Sequence, residues 1–401
     1  MPADGVCPNC GIAGAKVFYS ARGIPVHSVQ LLRTRREALD YPRGDVDLAF
    51  CRSCGFICNA TFDASLHDYS HDYESTQQFS PTFNAFHKQL AERLVERYGL
   101  HGKEVVEIGC GQGEFLALLC EAGGNRGTGF DPAFVDGRNA AIDGSRIKVV
   151  KDYFSERYSD CRGDFYCCKM TLEHIPDTMD FVATVRRAIG DRPDAVVFFQ
   201  VPDVGRILRD VAFWDIYYEH CSYFSIPSLA HLFRASGFRV LGLNAEYDDQ
   251  YLMIEARPAA GAAGPLPAIA RTSEDVARDV AYFAANCRQK VDGWRRTLAD
   301  LRRAGRRAVI WGAGSKGVAF LTTLGVHDEI QFAVDVNPLK HGTFLAGSGQ
   351  EVIAPHVLRD YRPDAVIVMN PIYGPEIRQQ LDGMGIAAQM MTPQADGTQS
   401  R

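Results

Sequence analysis

A glycine-rich turn follows an apolar run in the first half of the chain. The run Val105–Ile108 is rich in β-branched residues, and Gly109, Gly111 and Gly113 come soon after it. A strand, a glycine turn and a helix are the means by which an α/β sheet brings bare backbone close to a ligand. About twenty residues later, Asp131 ends a second short strand-like run, where its carboxylate suits the two hydroxyls of a ribose.

This turn differs from the turns that bind dinucleotides. It lacks the Gly-x-Gly-x-x-Gly spacing that seats a pyrophosphate, and Glu107 on the first strand suits a cationic nucleoside without phosphate. S-adenosylmethionine, with a sulfonium and a ribose, has this chemistry. We expect Glu107, the three glycines and Asp131 to hold it, with Asp152, Tyr153 and Phe154 beside the adenine. An ordinary strand-to-helix turn without a ligand is the alternative.

Two Cys-x-x-Cys pairs lie near the start of the chain, and a glycine follows each of them. Four thiolates around a tetrahedral ion form a closed, structural metal site. We therefore predict a structural zinc held by Cys7, Cys10, Cys51 and Cys54. Redox-active dithiols or disulfides are the alternative. Cys58 is expected to be buried rather than a ligand.

Two clusters could exchange protons. The segment Thr171–Pro176 contains the pair Glu173–His174, and the segment Trp214–Phe224 contains the pair Glu219–His220. Histidine takes up a proton near neutral pH, and an adjacent carboxylate can orient or charge it. Both clusters follow predicted strands, at the edge of the sheet where doubly wound enzymes hold their substrates. For each residue, a hydrogen-bonded structural role is the alternative, and the neighbouring aromatic residues could equally pack under a lid.

Composition narrows the class of protein. A chain of 401 residues suggests two or three domains, and a formal net charge of −6 argues against a nucleic-acid partner. We find no signal-peptide pattern and no apolar window of about 18 residues that could span a membrane. Twelve cysteines without a secretion signal indicate a reducing compartment, so we expect a cytoplasmic protein with no membrane partner.

The predicted elements indicate an α/β protein in three parts. Residues 1–75 hold the cysteine pairs and little periodic structure, and we assign them to a zinc-binding domain. Residues 76–258 alternate strands and helices, as is typical of a doubly wound, Rossmann-like sheet. Residues 259–401 contain a linker, a long amphipathic helix and a second Rossmann-like domain. The predicted helices are 76–100, 178–188, 229–235 and 272–304, and the predicted strands include 147–150, 164–168, 195–201, 240–243 and 251–256.

A second glycine loop begins the last of these parts. Gly312, Gly314 and Gly317 follow an apolar run, and Asp335 lies about twenty residues further on. Alone, this pattern predicts an NAD-dependent oxidoreductase, which is the alternative from another enzyme class. No second proton-transfer cluster accompanies the loop, and this weakens that interpretation. A binding module that has lost catalysis is a third possibility, and the intact pair Glu219–His220 argues against it.

Taken together, these motifs resemble the sugar C-methyltransferase family, which acts on nucleotide-linked deoxysugars. The resemblance covers nearly the whole chain: Cys7–Cys54, Glu107–Asp131, and Trp311–Gly317 with Asp335–Pro338 match the family's zinc-binding, S-adenosylmethionine and C-terminal Rossmann-like domains. The most specific motif is Tyr-x-Glu-His-x-x-Tyr-Phe-Ser, which begins at Tyr217.

The resemblance implies a role for these residues. His220 would be the base that removes a proton beside a ketone, so that the resulting enolate attacks the donor methyl group. Glu219 would support that enolate or bind a sugar hydroxyl. The implied cofactors are S-adenosylmethionine and structural zinc. The implied substrate is a small molecule, a nucleotide-linked ketosugar, whose nucleotide the C-terminal glycine loop helps to hold. The implied site residues are His220, Glu219, His174, Tyr217 and Tyr73, with Tyr69 as the alternative to Tyr73.

Three segments depart from the family pattern. Tyr218 stands where the family commonly has histidine, residues 73–80 differ from the usual tyrosine- and serine-rich version, and residues 344–349 lack an expected proline. We interpret these changes as acceptor-side changes, so the substrate can differ from a standard deoxyketosugar. Methylation of oxygen or nitrogen in another small metabolite is therefore the alternative reaction. The sequence does not predict the oligomeric state.

Overall fold

The structure is a computed structural model that describes residues 5–66, 72–142, 144, 146–261, 271–326 and 328–394. The strands are β1 (Lys16–Pro25), β2 (Arg43–Phe50), β3 (Ile57–Asn59), β4 (Glu104–Ile108), β5 (Arg126–Phe130), β6 (Ile147–Val150), β7 (Phe165–Lys169), β8 (Val196–Pro202), β9 (Ser222–Tyr223), β10 (Phe238–Glu246), β11 (Tyr251–Pro258), β12 (Ala308–Trp311), β13 (Ile330–Val334), β14 (Glu351–Ile353), β15 (Ala365–Val368) and β16 (Gln389–Met391). The helices are α1 (Arg35–Leu39), α2 (Pro81–Tyr98), α3 (Glu114–Gly123), α4 (Thr178–Ile189), α5 (Val204–Arg209), α6 (Ile226–Ala235), α7 (Ser273–Arg303), α8 (Ser315–Leu324), α9 (Leu358–Tyr361) and α10 (Gly374–Gly383).

The N-terminal part forms an antiparallel sheet in the order β1-β2-β3-β9. The expectation of little periodic structure here was wrong. Most of β1 is exposed or half-buried, so its sequence lacks the alternation of apolar and polar residues that marks a strand. β9 belongs to the Tyr-x-Glu-His motif, where Tyr223 pairs with Ile57. The N-terminal sheet therefore holds the segment that carries the candidate base.

The central sheet confirms the predicted doubly wound fold. Its strand order is β10-β11-β8-β7-β4-β5-β6, and all its pairs are parallel except those of β11 with β8 and β10. Apolar residues of α2 and α3 cover one face, and those of α4 and α6 cover the other. β4, β5 and β7 run parallel and end at the same edge, which brings Glu107, Asp131 and the Glu173–His174 pair to one side of the sheet.

The C-terminal part contains a second, wholly parallel sheet in the order β14-β13-β12-β15-β16. The second glycine loop joins β12 to α8, as its spacing predicted. This arrangement confirms the second Rossmann-like unit. The linker predicted from composition falls largely on residues 262–270, which lie outside the described residues.

The long helix α7 packs between the N-terminal and C-terminal sheets. It begins with a capping box. The Thr272 hydroxyl accepts from the Asp275 N–H, and the Asp275 carboxylate accepts from the Thr272 N–H. Apolar residues recur along it every three or four positions and are buried in one cluster that includes Val46 of β2 and Ile310 of β12. The cluster fixes both sheets to one helix. None of the helices in the described ranges combines the length and apolar character that crossing a membrane requires.

Candidate active site

A cavity of about 1060 Å³ lies between the carboxyl ends of the two parallel sheets. Residues that follow β4, β5 and β7 line it from the central sheet, and residues that follow β12, β13 and β15 line it from the C-terminal sheet. Both glycine loops and both candidate histidines therefore open onto the same space. This is the position at which open α/β sheets bind their ligands.

The first glycine turn presents backbone to this cavity. Gly109 has φ = +68°, and a Cβ there would stand 2.0 Å from Thr171 Oγ1, so no side chain fits. Asp131 accepts hydrogen bonds from the N–H groups of Gly111 (2.8 Å) and Ala133 (2.9 Å), one on each oxygen. Each carboxylate oxygen keeps a lone pair for a ligand hydroxyl. Burial raises the pKa of Asp131 above its usual range.

Gly113 differs from the other two glycines because it does not line the cavity. It precedes α3 with φ = +76°, and a Cβ there would stand 2.8 Å from Ile142 Cδ1. Its place in the structure is to start the helix rather than to touch a ligand.

Glu107 and Lys169 bring opposite charges to the cavity from the neighbouring strands β4 and β7. They are 2% and 9% exposed, and they form no ion pair within 4.0 Å. Lys169 Nζ lies 2.9 Å from His87 Nε2 and 3.8 Å from the centroid of the Phe115 ring. Burial raises the pKa of Glu107 and lowers that of Lys169, and the charge of each opposes the shift of the other. Burial lowers the pKa of His87 to about 2, so the neutral ring accepts from the lysine.

The segment predicted to lie beside the adenine also lines the cavity. Asp152 accepts hydrogen bonds from the Tyr153 N–H (2.8 Å) and from the Tyr158 hydroxyl (2.6 Å). Both oxygens of its carboxylate therefore already bond to neighbouring residues of the same segment. Phe154 is buried and packs edge-to-face on Phe130, while the Tyr153 side chain is 55% exposed. Phe154 thus offers an apolar surface, and the exposed Tyr153 a second aromatic ring, against which the planar adenine could pack.

His174 and His220 lie together at the cavity wall. Their ring centroids are 4.8 Å apart and the rings are almost perpendicular. His174 Nδ1 lies 3.2 Å from the Glu219 carbonyl oxygen, which can only accept, so Nδ1 carries the proton and Nε2 is the acceptor in the neutral ring. One carboxylate oxygen of Glu173 and one nitrogen of each histidine lie within 4.8 Å of one another. Burial raises the pKa of Glu173 to about 8.

Glu219 lies behind the cavity wall rather than in it. Its carboxylate is 1% exposed and accepts from the Ser28 N–H (2.8 Å) and the Tyr73 hydroxyl (2.8 Å). Tyr73 itself lines the cavity. The prediction that Glu219 contacts a sugar hydroxyl or the enolate is therefore not supported by its position, and Tyr73 is the side chain of this pair that faces the cavity. Tyr69, the alternative to Tyr73, lies outside the described residues.

Tyr217 connects the histidine pair to the second glycine loop. Its ring packs 4.7 Å from that of His220, and its hydroxyl donates to Asp215 Oδ1 (2.6 Å). Asp215 Oδ2 accepts from Lys316 Nζ (2.9 Å), and Lys316 lies in the first turn of α8, directly after the second glycine loop. Burial raises the pKa of Tyr217 far above its usual range, so the phenol stays neutral. Through Asp215, the Tyr217 hydroxyl is linked to α8 of the C-terminal part.

The segment before α2 joins the two sides of the cavity. Glu74 is 1% exposed, and it accepts from Asn337 Nδ2 (3.0 Å) and from the Arg138 guanidinium. Arg138 follows β5 on the donor side, and Asn337 follows β13 in the C-terminal sheet. The buried Glu74 carboxylate thus links the donor side of the cavity to the C-terminal side.

The four predicted zinc ligands converge outside this cavity. The Sγ atoms of Cys7 and Cys54 are 3.8 Å apart, those of Cys10 and Cys51 are 3.6 Å apart, and all four lie within 4.8 Å of one another. Four thiolates at about 2.3 Å from a tetrahedral zinc stand about 3.8 Å apart. The four cysteines are not disulfide-bonded, and Asn9 Nδ2 lies 3.5 Å from Cys54 Sγ. The donor set and spacing fit zinc.

Comparison with known proteins places this geometry in a family. The family model described as a methyltransferase domain matches residues 46–243, and the model described as a C-methyltransferase C-terminal domain matches residues 271–391. The C-methyltransferase NovU of Streptomyces niveus is 31% identical over 310 residues, which cover 72% of each chain. The chain belongs to the C-methyltransferase family. It is a methyltransferase that uses S-adenosylmethionine.

More distant similarities are confined to part of the chain. A ubiquinone biosynthesis O-methyltransferase of Actinobacillus pleuropneumoniae is 31% identical over 121 residues, which are 28% of this chain and 50% of that protein. Among solved structures, an O-methyltransferase family protein from Burkholderia thailandensis has a TM-score of 0.36 at 16% identity, covering 45% of this chain and 59% of that one. This chain spans about half the length of those relatives.

Two of the three departures from the family pattern do not reach the cavity of this C-methyltransferase. The Tyr218 ring packs on Gly44, where a Cβ would stand 2.1 Å away, and its hydroxyl accepts from the Asp63 N–H. Phe344 pairs with Leu32 as an isolated bridge, and residues 344–349 do not line the cavity. Their interpretation as acceptor-side changes was wrong for these two segments. Residues 73–80 do line the cavity, as expected.

Sequence reasoning missed several cavity residues of this C-methyltransferase. Lys169 ends the apolar strand Phe165–Lys169, and a charge at that position was a visible signal. Glu74 and Lys316 had no comparable signal, because their partners are distant in sequence.

Proposed function

We propose that this C-methyltransferase methylates a carbon beside the ketone of a nucleotide-linked sugar. The observation that supports this most is that the first glycine turn, the histidine pair and the second glycine loop line a single cavity. Two nucleoside-binding turns on opposite sides fit one nucleoside from the methyl donor and another from the acceptor. The histidines then lie between them, where the sugar and the methyl group meet.

The donor side is held by the central sheet. Asp131 offers an oxygen to each ribose hydroxyl, while Gly109 and Gly111 admit close approach of the ligand to the backbone. Asp152, Tyr153 and Phe154 border the adenine. When bound, S-adenosylmethionine supplies an electrophilic methyl group on a sulfonium.

Proton removal falls to the histidine pair. A carbon acid beside a ketone must lose its proton before the carbon can attack a methyl group, so a fixed base is required. We assign this role to His220, with His174 beside it in the tautomer that the Glu219 carbonyl selects. The buried Glu173 carboxyl lies beside both rings, and an imidazolium formed by proton uptake would favour its ionised form, which would in turn stabilise that charge. Tyr73 and Tyr217 border the sugar, and Glu219 orients Tyr73.

The acceptor's nucleotide is assigned to the C-terminal sheet. The second glycine loop begins α8, and Lys316 in its first turn adds a cation to the helix terminus. NAD-dependent chemistry is less well supported because this loop faces the cavity that the donor turn and the histidines already occupy.

The N-terminal cysteines are assigned to a structural zinc. The same backbone hydrogen bond closes each Cys-x-x-Cys-Gly turn. The N–H of Gly11 donates to the Cys7 carbonyl (2.8 Å), and the N–H of Gly55 donates to the Cys51 carbonyl (2.9 Å). A site with four cysteine ligands leaves no open position for a substrate. The twelve cysteines are not disulfide-bonded, which fits a reducing compartment such as the cytoplasm.

Purified protein should contain about one zinc per chain, and Cys51→Ser should lose it. Folding of the N-terminal sheet should then weaken, because metal binding and folding are coupled there. Elemental analysis with thermal unfolding measures both effects. Cys58→Ser is the matched control, since Cys58 is a buried thiol outside the cluster, and it should keep its zinc. Wild-type protein prepared without chelator and lacking zinc would contradict the assignment.

Asp131→Ala should weaken binding of S-adenosylmethionine at least tenfold. Hydrogen bonds to a carboxylate contribute about 1.5–3 kcal/mol each, and the ribose offers two donors. Titration calorimetry measures the affinity. Asp136→Ala removes an exposed carboxylate from the same loop, outside the cavity, and should leave the affinity unchanged. Equal affinities of Asp131→Ala and wild type would remove Asp131 from the donor site.

His220→Asn should bind S-adenosylmethionine normally but turn over at least ~10²-fold more slowly, as expected for a missing general base. It should also stop exchange of the ketosugar's α-proton with deuterated water, measured by NMR on a nucleoside-diphosphate ketohexose. The control His231→Asn changes an exposed histidine of α6.

Turnover and proton exchange at the parental rate in His220→Asn would contradict the enolate mechanism with this base. A methyl transfer to oxygen or nitrogen, which can proceed largely by proximity, would then explain the activity better.

A further inference from the structure

The carboxyl group of Glu173 is buried at the cavity wall without a bonding partner. The residue is 1% exposed, and neither carboxyl oxygen has a hydrogen-bond partner among the described residues. It forms no ion pair within 4.0 Å with a described lysine or arginine. A buried polar group without a partner is costly, so this group calls for a partner that the protein itself does not supply. Because Glu173 lines the cavity, a bound ligand is the available partner.

This carboxyl group holds a proton at neutral pH. Burial raises the pKa of Glu173 to about 8, so the protonated acid predominates there. Five titratable groups face it, namely His174, His220, Cys168, Cys221 and Tyr251. Burial raises the pKa of both thiols and of the phenol, so these three groups stay neutral. A protonated carboxyl group can donate one hydrogen bond to a ligand oxygen.

The other polar groups assigned to the sugar side do not offer a proton to a ketone oxygen. The hydroxyls of Tyr73 and Tyr217 each donate their proton to a carboxylate of the protein. The neutral His174 ring has its N–H on a backbone carbonyl, so its Nε2 is an acceptor. Negative charge develops on the ketone oxygen when the α-proton leaves, and a fixed donor at that oxygen lowers the barrier. Protonated Glu173 is such a donor.

We propose that Glu173 is the general acid of enolisation and gives its proton to the ketone oxygen while His220 removes the proton from the adjacent carbon. The α-carbon and the oxygen of a ketone are about 2.4 Å apart, as follows from the two bonds that join them. A carboxyl oxygen of Glu173 and a ring nitrogen of His220 lie within 4.8 Å of each other. Both groups can therefore stand within hydrogen-bond reach of those two atoms.

The proposed step balances its protons and electrons within the site. The bond between the α-carbon and its hydrogen breaks, and the proton goes to the His220 ring. The electron pair left on carbon forms the carbon–carbon double bond, and the π electrons of the carbonyl form an O–H bond with the proton of Glu173. The products are a neutral enol, an imidazolium and a carboxylate, and the two charges lie side by side. This inference rests on the ketosugar proposed above and adds the acid to its base.

The pH dependence of α-proton exchange tests the proposal. Exchange with deuterated water would be followed by NMR on a nucleoside-diphosphate ketohexose, with S-adenosylhomocysteine present so that no methyl group is transferred. The wild-type rate should fall as pH rises through the pKa of Glu173, about 8, because the ionised carboxylate has no proton to give. It should also fall at acid pH, where His220 is protonated. A rate that stays constant toward alkaline pH would overturn the inference.

Substitution then assigns the alkaline decline to one residue. Glu173→Gln should slow exchange at neutral pH about 10²-fold or more, because an amide cannot transfer the proton. It should lose the alkaline decline and keep the acid one. Glu173→Asp retains an acid and should keep both declines at a lower rate. Glu156→Gln, which changes an exposed carboxylate outside the cavity, is the control and should leave the rate and both declines unchanged.

A Glu173→Gln variant that is slower by the same factor at every pH, with its alkaline decline intact, would show a structural carboxyl group and would overturn the inference. Where this variant does not fold, the wild-type profile remains the test. Wild-type protein that exchanges the α-proton of no ketohexose at any pH would instead contradict the proposed function, so the two failures are distinguishable.

Discussion

The buried hydrogen bonds of Glu219 hold the segment of the candidate base in place. Its carboxylate accepts from Ser28 and Tyr73, and its carbonyl selects the tautomer of His174. The next residue, His220, is the candidate base. Because a carboxylate that is 1% exposed must be satisfied by nearby donors, the N-terminal part and the segment before α2 are both needed to complete the site.

The three parts of the chain meet around this one segment. Tyr223 pairs with Ile57 of the N-terminal sheet, and Asp215 links Tyr217 to Lys316 of α8 in the C-terminal part. Asp131 and the glycine turn approach from the central sheet. The N-terminal part therefore supports the candidate base through the pairing of β3 with β9, and it also contributes Tyr73 to the cavity wall. A base assembled in this way is fixed before the substrate arrives, as removal of a carbon-bound proton requires.

Features encoded by short spacing could be predicted from the sequence. The glycine turn with Asp131, the cysteine pairs and the alternation of strands and helices each depend on nearby residues, and the structure brings them together as expected. Features that depend on distant partners could not be predicted. Glu219 was expected to face the substrate, but its partner Ser28 lies 191 residues away and draws the carboxylate behind the wall. The N-terminal sheet was not predicted because its half-buried strand β1 shows only a weak alternation of apolar and polar residues.

The most direct test of carbon methylation is the bond that the methyl group forms. Wild-type protein would be incubated with S-adenosylmethionine carrying a ¹³C-methyl group and with ¹³C-labelled nucleoside-diphosphate ketohexoses, and the product would be examined by NMR. If His220 generates an enolate, the methyl carbon will show one-bond coupling to a sugar carbon adjacent to the carbonyl. A labelled methyl group bonded to oxygen or nitrogen, with no carbon–carbon coupling, would contradict carbon methylation.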